Sequence, residues 1–142
     1  MLKKGGIINP ELLSELQALR HTEKVVIADP GLPRVEGAKE INLALTSGIP
    51  SFADVFNSIF NELAVERGII ASEMQSAGDQ AARAKNLVTE AFQKHQYVLT
   101  SESHEEFKNL TKGAKLVVVH GEGTRYSNVI LVAGVHFPKL TD

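Results

Sequence analysis

A three-layer α/β/α fold around a largely parallel or mixed sheet is the architecture this sequence predicts. Helix-period and strand-type segments alternate through most of the chain, the pattern of a sheet covered by helices. The strand-type segments 25–28 (VVIA), 115–119 (KLVVV) and 128–135 (NVILVAGV) are nearly continuous apolar runs, as expected of strands buried on both faces. The 142 residues carry no repeat, low-complexity tract or linker, so residues 1–142 are expected to form a single domain.

The first helix is announced by Asn9, which can cap, by Pro10 at the first helical position and by Glu11 at the positive end of the dipole. Leu12, Leu13, Leu16 and Leu19 then follow helical spacing. The strand at 25–28 is stopped by Asp29-Pro30-Gly31. Residues 41–45 (INLAL) read as a short strand closed by Gly48 and Pro50. Ser51 caps the next helix, with Asp54 in a capping-box position and Val55, Phe56, Ile59, Phe60 and Leu63 on its apolar face. Gly68 is expected to end that helix, and residues 69–71 to begin a strand. Residues 79–95 form a polar, Ala-rich outer helix with a narrow stripe at Ala84, Leu87, Val88 and Phe92. A strand at 97–100 and a short helix at 103–112 follow, the latter with a capping box from Ser103 to Glu106. The two strong strands at 115–119 and 128–135 flank the polar loop HGEGTRYS.

Composition narrows the function. The formal charge is −2, and no basic block or aromatic-interleaved Lys/Arg stripe is present, which argues against a nucleic-acid partner. No apolar run approaches the roughly 18 residues that suggest a membrane span. The opening MLKKGGIINPE contains no signal-peptide core, so no export signal is read there. There is no cysteine, hence no disulfide, thiolate nucleophile or Cys-based zinc site, which fits a cytoplasmic protein. The five histidines, His21, His95, His104, His120 and His136, show no i, i+4 pair and no HExxH motif, so no metal site is expected.

Candidate site residues follow from position. Asp29 stands where a strand ends, and ligands of open α/β sheets bind outside the carboxyl ends of strands. Asp before Pro-Gly is equally ordinary turn chemistry. His104 falls in the first turn of a helix, where the dipole favours the neutral imidazole, able to bond a hydroxyl group. Lys108, four residues on, shares its face. Read as an extended segment, Tyr126 and Asn128 point to one side, a phenol and an amide suited to a polyhydroxylated ligand. His21 follows the first helix, near the negative end of its dipole. GEGTRYSN is neither a Walker A loop nor a GxGxxG turn opening a helix, so a plain connecting loop is favoured over a phosphate cradle. His95, His120 and His136 receive no role.

Taken together, KKGGIINPEL, HTEKVVIADPGLP, INLALTSGIPSFADVF, NELAVERGIIASE, SHEEFK and GEGTRYSNVILVAGVHF resemble, in this order and almost end to end, the D-ribose pyranase family and its sister group of fucose mutarotases. ADPGLP and LTSGIPSF are more similar to the ribose group. The resemblance implies a sugar mutarotase that interconverts β-D-ribopyranose and β-D-ribofuranose without metal or organic cofactor. By that resemblance His21 is the proton-donating residue, Asp29 and His104 bind the sugar, Tyr126, Ser127 and Asn128 form a sugar-binding triplet, and Lys108 is a further, less specific match. The chain departs from the family at Pro30, where small residues are usual, at Arg125, where a Pro commonly precedes the Tyr, and around residues 77–96. The alternatives are a mutarotase for fucose or another monosaccharide, a non-catalytic sugar-binding or regulatory protein, and a phosphosugar-binding module resting on Arg125.

His21 and Asp29 raise a problem of reach. Eight residues of extended chain at roughly 3.3 Å each separate them by up to about 26 Å. A monosaccharide is far smaller. His21 of one chain is therefore expected to complete the site of a neighbour, making the protein a homo-oligomer, and the resemblance suggests a ring-like assembly such as a decamer.

Overall fold

The computed structural model describes residues 6–137. Six strands form one mixed sheet in the order β2-β5-β1-β6-β3-β4. They are β1 (Lys24–Ala28), β2 (Lys39–Asn42), β3 (Val65–Ala71), β4 (Val98–Glu102), β5 (Leu116–Val119) and β6 (Val129–Ala133). β5 runs parallel to both β1 and β2, and β3 runs parallel to β4. β6 lies between β1 and β3 and is antiparallel to both. This reversal in mid-sheet brings the start of β6 to the same edge as the ends of the other strands.

Alternation along the buried strands divides the core in two. Val25 and Ile27 face α1 (Pro10–Ala18), α2 (Phe52–Glu62) and α3 (Asp79–His95). Val26 and Ala28 face α4 (His104–Leu110), through Phe107, and the connection carrying Leu32, Val35 and Ala38. Helices thus cover both faces, as the apolar runs require. The caps of the first two helices form as read. The Asn9 side chain accepts from Leu12 N–H at 2.9 Å, and Ser51 and Asp54 form a reciprocal capping box. α3 spans the expected 79–95 and buries Ala84, Val88 and Phe92 of the expected stripe together with Ala81, whereas Leu87 is only partly buried.

Three expectations about elements are corrected. The second strand occupies 39–42 rather than 41–45, because the Asn42 side-chain oxygen accepts from Ala44 N–H at 2.9 Å and turns the chain. Gly68 does not end α2: that helix stops at Glu62, and Gly68 lies inside β3. A Cβ at Gly68 would stand 2.3 Å from the Phe92 ring, so packing of α3 on the sheet selects glycine there, not a helix stop. At Ser103 the hydroxyl accepts from Glu106 N–H, but the Glu106 carboxylate turns to the Asn109 side chain instead of closing the capping box.

Candidate active site

Residues from five strands meet at one edge of the sheet. Asp29 follows β1, His120 follows β5, Glu73 lies in the 3₁₀ turn Ser72–Ser76 after β3, and His104 opens α4 just after β4. Tyr126, Ser127 and Asn128 precede β6, whose antiparallel course delivers them there. This is the carboxyl-end crevice where open α/β sheets bind ligands.

The crevice holds a cleft of about 330 Å³ lined by Asp29, Gly31, Leu32, Pro33, His104, Gly123, Thr124, Arg125 and Tyr126. That volume lies near the lower end of small-molecule sites, roughly 300–1,000 Å³. Larger concavities occur elsewhere on the surface, but this one lies at the carboxyl ends of the strands and holds Asp29, His104 and Tyr126. Asp29 is fixed by its own turn, its Oδ1 accepting from Gly31 N–H at 2.7 Å. Its backbone N–H donates to Asn128 Oδ1 at 2.7 Å, tying the end of β1 to the start of β6.

His104 is held from behind. Its backbone N–H donates to both Glu73 carboxylate oxygens at 3.0 Å. That bond, first of all, holds the Glu73 carboxyl below the usual carboxylate range. The His104 ring meets Tyr126 edge to face, with centroids 5.0 Å apart. Two buried polar atoms here have no hydrogen-bond partner among the described residues, His104 Nδ1 and Asn128 Nδ2. Such atoms cost about 1–3 kcal/mol each unless something bonds them.

Tyr126 does not sit in an extended segment. Its φ is +60°, in the left-handed region, and Ser127 N–H donates back to Thr124 O at 3.3 Å. The expected i, i+2 alternation with Asn128 is therefore replaced by a tight turn. Asn128 is fully buried while Tyr126 lines the cleft. Ser127 is buried too, and its hydroxyl donates to Thr124 O at 2.6 Å, so it shapes the turn. Lys108 pairs with Glu105 at 2.8 Å and lines the adjoining concavity with Leu32 and Pro33, not the cleft itself.

His21 lies at the other end of the sheet. It is exposed, with its Nε2 3.4 Å from Glu66 Oε1, and it lines a separate groove with Leu16, Glu62 and Phe137. Within one chain, then, His21 and Asp29 line different cavities, and the described residues bring together Asp29, His104 and Tyr126 with Asn128 behind them.

Sequence reasoning overlooked Glu73 and His120. Both stand just beyond a strand's carboxyl end, where Asp29 was singled out, so the same positional rule applied to every strand finds them. Among the described residues no three or more His, Asp or Glu side chains gather as a metal site, and no helix is long and apolar enough to cross a membrane.

The chain is 45% identical over 137 residues to D-ribose pyranase of Bacillus subtilis (strain 168), covering 96% of this chain and all of that one. Its fold matches the structure of Bacillus subtilis RbsD complexed with D-ribose with a TM-score of 0.85 and 43% identity, over 96% of this chain and all of the other. The fucose mutarotase of Streptococcus pneumoniae in complex with L-fucose matches with a TM-score of 0.67 over 92% of this chain and 95% of that one; at 23% identity it shows the shared fold alone. The family model described as the RbsD / FucU transport protein family matches residues 2–136, and to that family the chain belongs.

Proposed function

We propose that this protein is a D-ribose pyranase, an isomerase that interconverts β-D-ribopyranose and β-D-ribofuranose. Full-length identity of 45% to a D-ribose pyranase carries the reading. The site suits it: a carboxylate, a phenol and two unpartnered buried nitrogen atoms beside a small cleft are what a polyhydroxylated ligand needs. A sugar hydroxyl bonded to His104 Nδ1 or Asn128 Nδ2 would remove a desolvation cost that the free protein bears.

The chemistry follows from the residues. Opening the pyranose breaks the C1–O5 bond, puts a proton on O5 and removes one from the anomeric hydroxyl, leaving an aldehyde at C1. Attack of the C4 hydroxyl on C1, with the reverse proton movements, closes the furanose. Asp29, His104, Tyr126 and Asn128 hold the hydroxyls so that the open chain recloses through the chosen one. Ser127 contributes through the turn, and Lys108 from the margin. His21 donates and recovers the proton, a contribution of about 10²–10⁴-fold for a well-placed acid/base. It does so in a neighbouring subunit's site, since within one chain it opens onto a different groove from Asp29. The active form in this reading is a homo-oligomer, with a ring such as a decamer the arrangement suggested by family resemblance. A cytoplasmic setting belongs to the same proposal and is compatible with a chain that has no cysteine.

Saturation-transfer NMR on D-ribose tests this. Pyranose–furanose exchange is expected to accelerate with the protein and to return to the uncatalysed rate with His21→Ala. No acceleration for ribose, with acceleration for L-fucose, would reassign the substrate. Full activity in His21→Ala would remove His21 from the mechanism.

A further inference from the structure

His120 is a fully buried titratable side chain that the mechanism above does not use. Its Nδ1 accepts from Glu122 N–H at 2.9 Å, so Nδ1 carries no proton. Its Nε2 lies 2.8 Å from Ser127 O, which can only accept, so Nε2 carries the proton. Both ring bonds thus go to one loop, and to its two ends. The loop between them bears Gly123, Thr124, Arg125 and Tyr126, four of the nine residues lining the cleft.

The loop needs such a clasp. Tyr126 at φ +60° sits in a region that costs a bulky residue of order 1–3 kcal/mol and persists only where its surroundings impose it. Glu122 is tethered on its outer side, its carboxylate accepting from Phe52 N–H at 3.1 Å at the start of α2. The His120 ring is itself seated edge-on against Phe52, with centroids 5.5 Å apart. Its backbone N–H donates to Ala28 O at 3.0 Å, one residue before Asp29. The ring therefore joins the frame of β1 and α2 to the loop.

We propose that His120 is a positioning residue for the sugar site: as a neutral imidazole it clasps Glu122 and Ser127, closes the loop between them, and so sets Tyr126 against His104 and Asn128 behind Asp29. A neutral imidazole suits the place because it offers an acceptor and a donor from opposite sides of one rigid ring, and an ordinary apolar filler offers neither. The inference rests on the sugar-binding reading of the cleft.

The test compares His120→Phe, which keeps ring bulk and removes both bonds, with His120→Gln, whose amide can still donate to Ser127 O. In the ribose exchange assay, His120→Phe is expected to raise KM roughly tenfold, because part of the binding energy then goes to ordering the loop, with kcat changing much less. His120→Gln is expected to recover most of that loss. An unchanged KM in His120→Phe, or a Gln variant no better than Phe, overturns the proposal. Two readouts need no sugar. Ring nitrogen NMR shifts should give the Nε2–H tautomer at neutral pH, and the Tyr126 and Asn128 amide signals should move in His120→Phe and return towards their native positions in His120→Gln. The other tautomer, or stationary signals, overturns it. If wild-type protein leaves ribose exchange unchanged, the substrate reading fails and these two readouts decide the role of His120. If His120→Phe does not fold, the tautomer and the Gln variant decide it.

Discussion

His104 Nδ1 and Asn128 Nδ2 are buried with no partner among the described residues, whereas the neighbouring polar atoms of Ser127 and His120 are bonded within the chain. That division separates groups available to a ligand from groups that hold the loop. The burial of His120 also predicts a pH dependence of stability. Burial, its largest influence, pushes its pKa below the ordinary imidazole value of about 6.5. The Ser127 carbonyl and the nearby Asp29 and Glu122 charges oppose burial without cancelling it. Below about pH 6.5 the unfolded chain therefore binds more protons here than the folded one, so stability is complete above that pH and declines as pH falls towards the lowered folded value. Thermal melts from pH 8 to pH 5 should show the decline, and His120→Gln should flatten it. The lowered Glu73 value acts in the same direction, in the more acid carboxylate range.

At the scale of elements, β3 and α3 are fitted to each other through Gly68 and Phe92. Phe92 is buried against the rings of Phe60 and Tyr97. Gly68→Ala would place a methyl group 2.3 Å from the ring's ζ carbon. The ring or the helix must then shift, and overpacking of this kind costs about 1–3 kcal/mol. Urea unfolding should show a lower midpoint at an unchanged slope, with ribose exchange retained in the folded protein, because α3 packs on the face opposite α4. The short α4 has a different task. Phe107 anchors it in the second core, the Ser103 hydroxyl caps it, and Glu73 reaches across from the end of β3 to its first N–H. An isolated helix of seven residues would not persist in water, so His104 owes its place to these tertiary contacts.

For the whole molecule, the separation of His21 from the cleft means that the proposed role of His21 requires an assembly. His21→Ala and Asp29→Ala are each expected to be inactive, and mixing and reassembling them should restore part of the exchange activity, because some sites would then combine an intact His21 with a neighbour's intact Asp29. No recovery after verified subunit exchange would place both groups' action within one chain and end the shared-site proposal.

The apolar runs, the caps at Asn9 and Ser51 and the stripe of α3 were legible in the sequence because they are local: each depends on residues within a turn or two, or on the period of a strand. The carboxyl-end rule likewise singled out Asp29, and separated motifs in order carried the family. The left-handed turn at Tyr126, the pairing of Asp29 with Asn128, the clasp of His120 and the fit of Gly68 to Phe92 were not legible. Each joins segments through tertiary packing, by a bond or contact whose partner the local pattern leaves open. Sequence by itself determined the order of most strands and helices and which chemistry the chain carries. Only the tertiary structure decided which polar groups are spent holding the site together and which are left to bind, because that depends on burial and on which partner each atom finds across the fold.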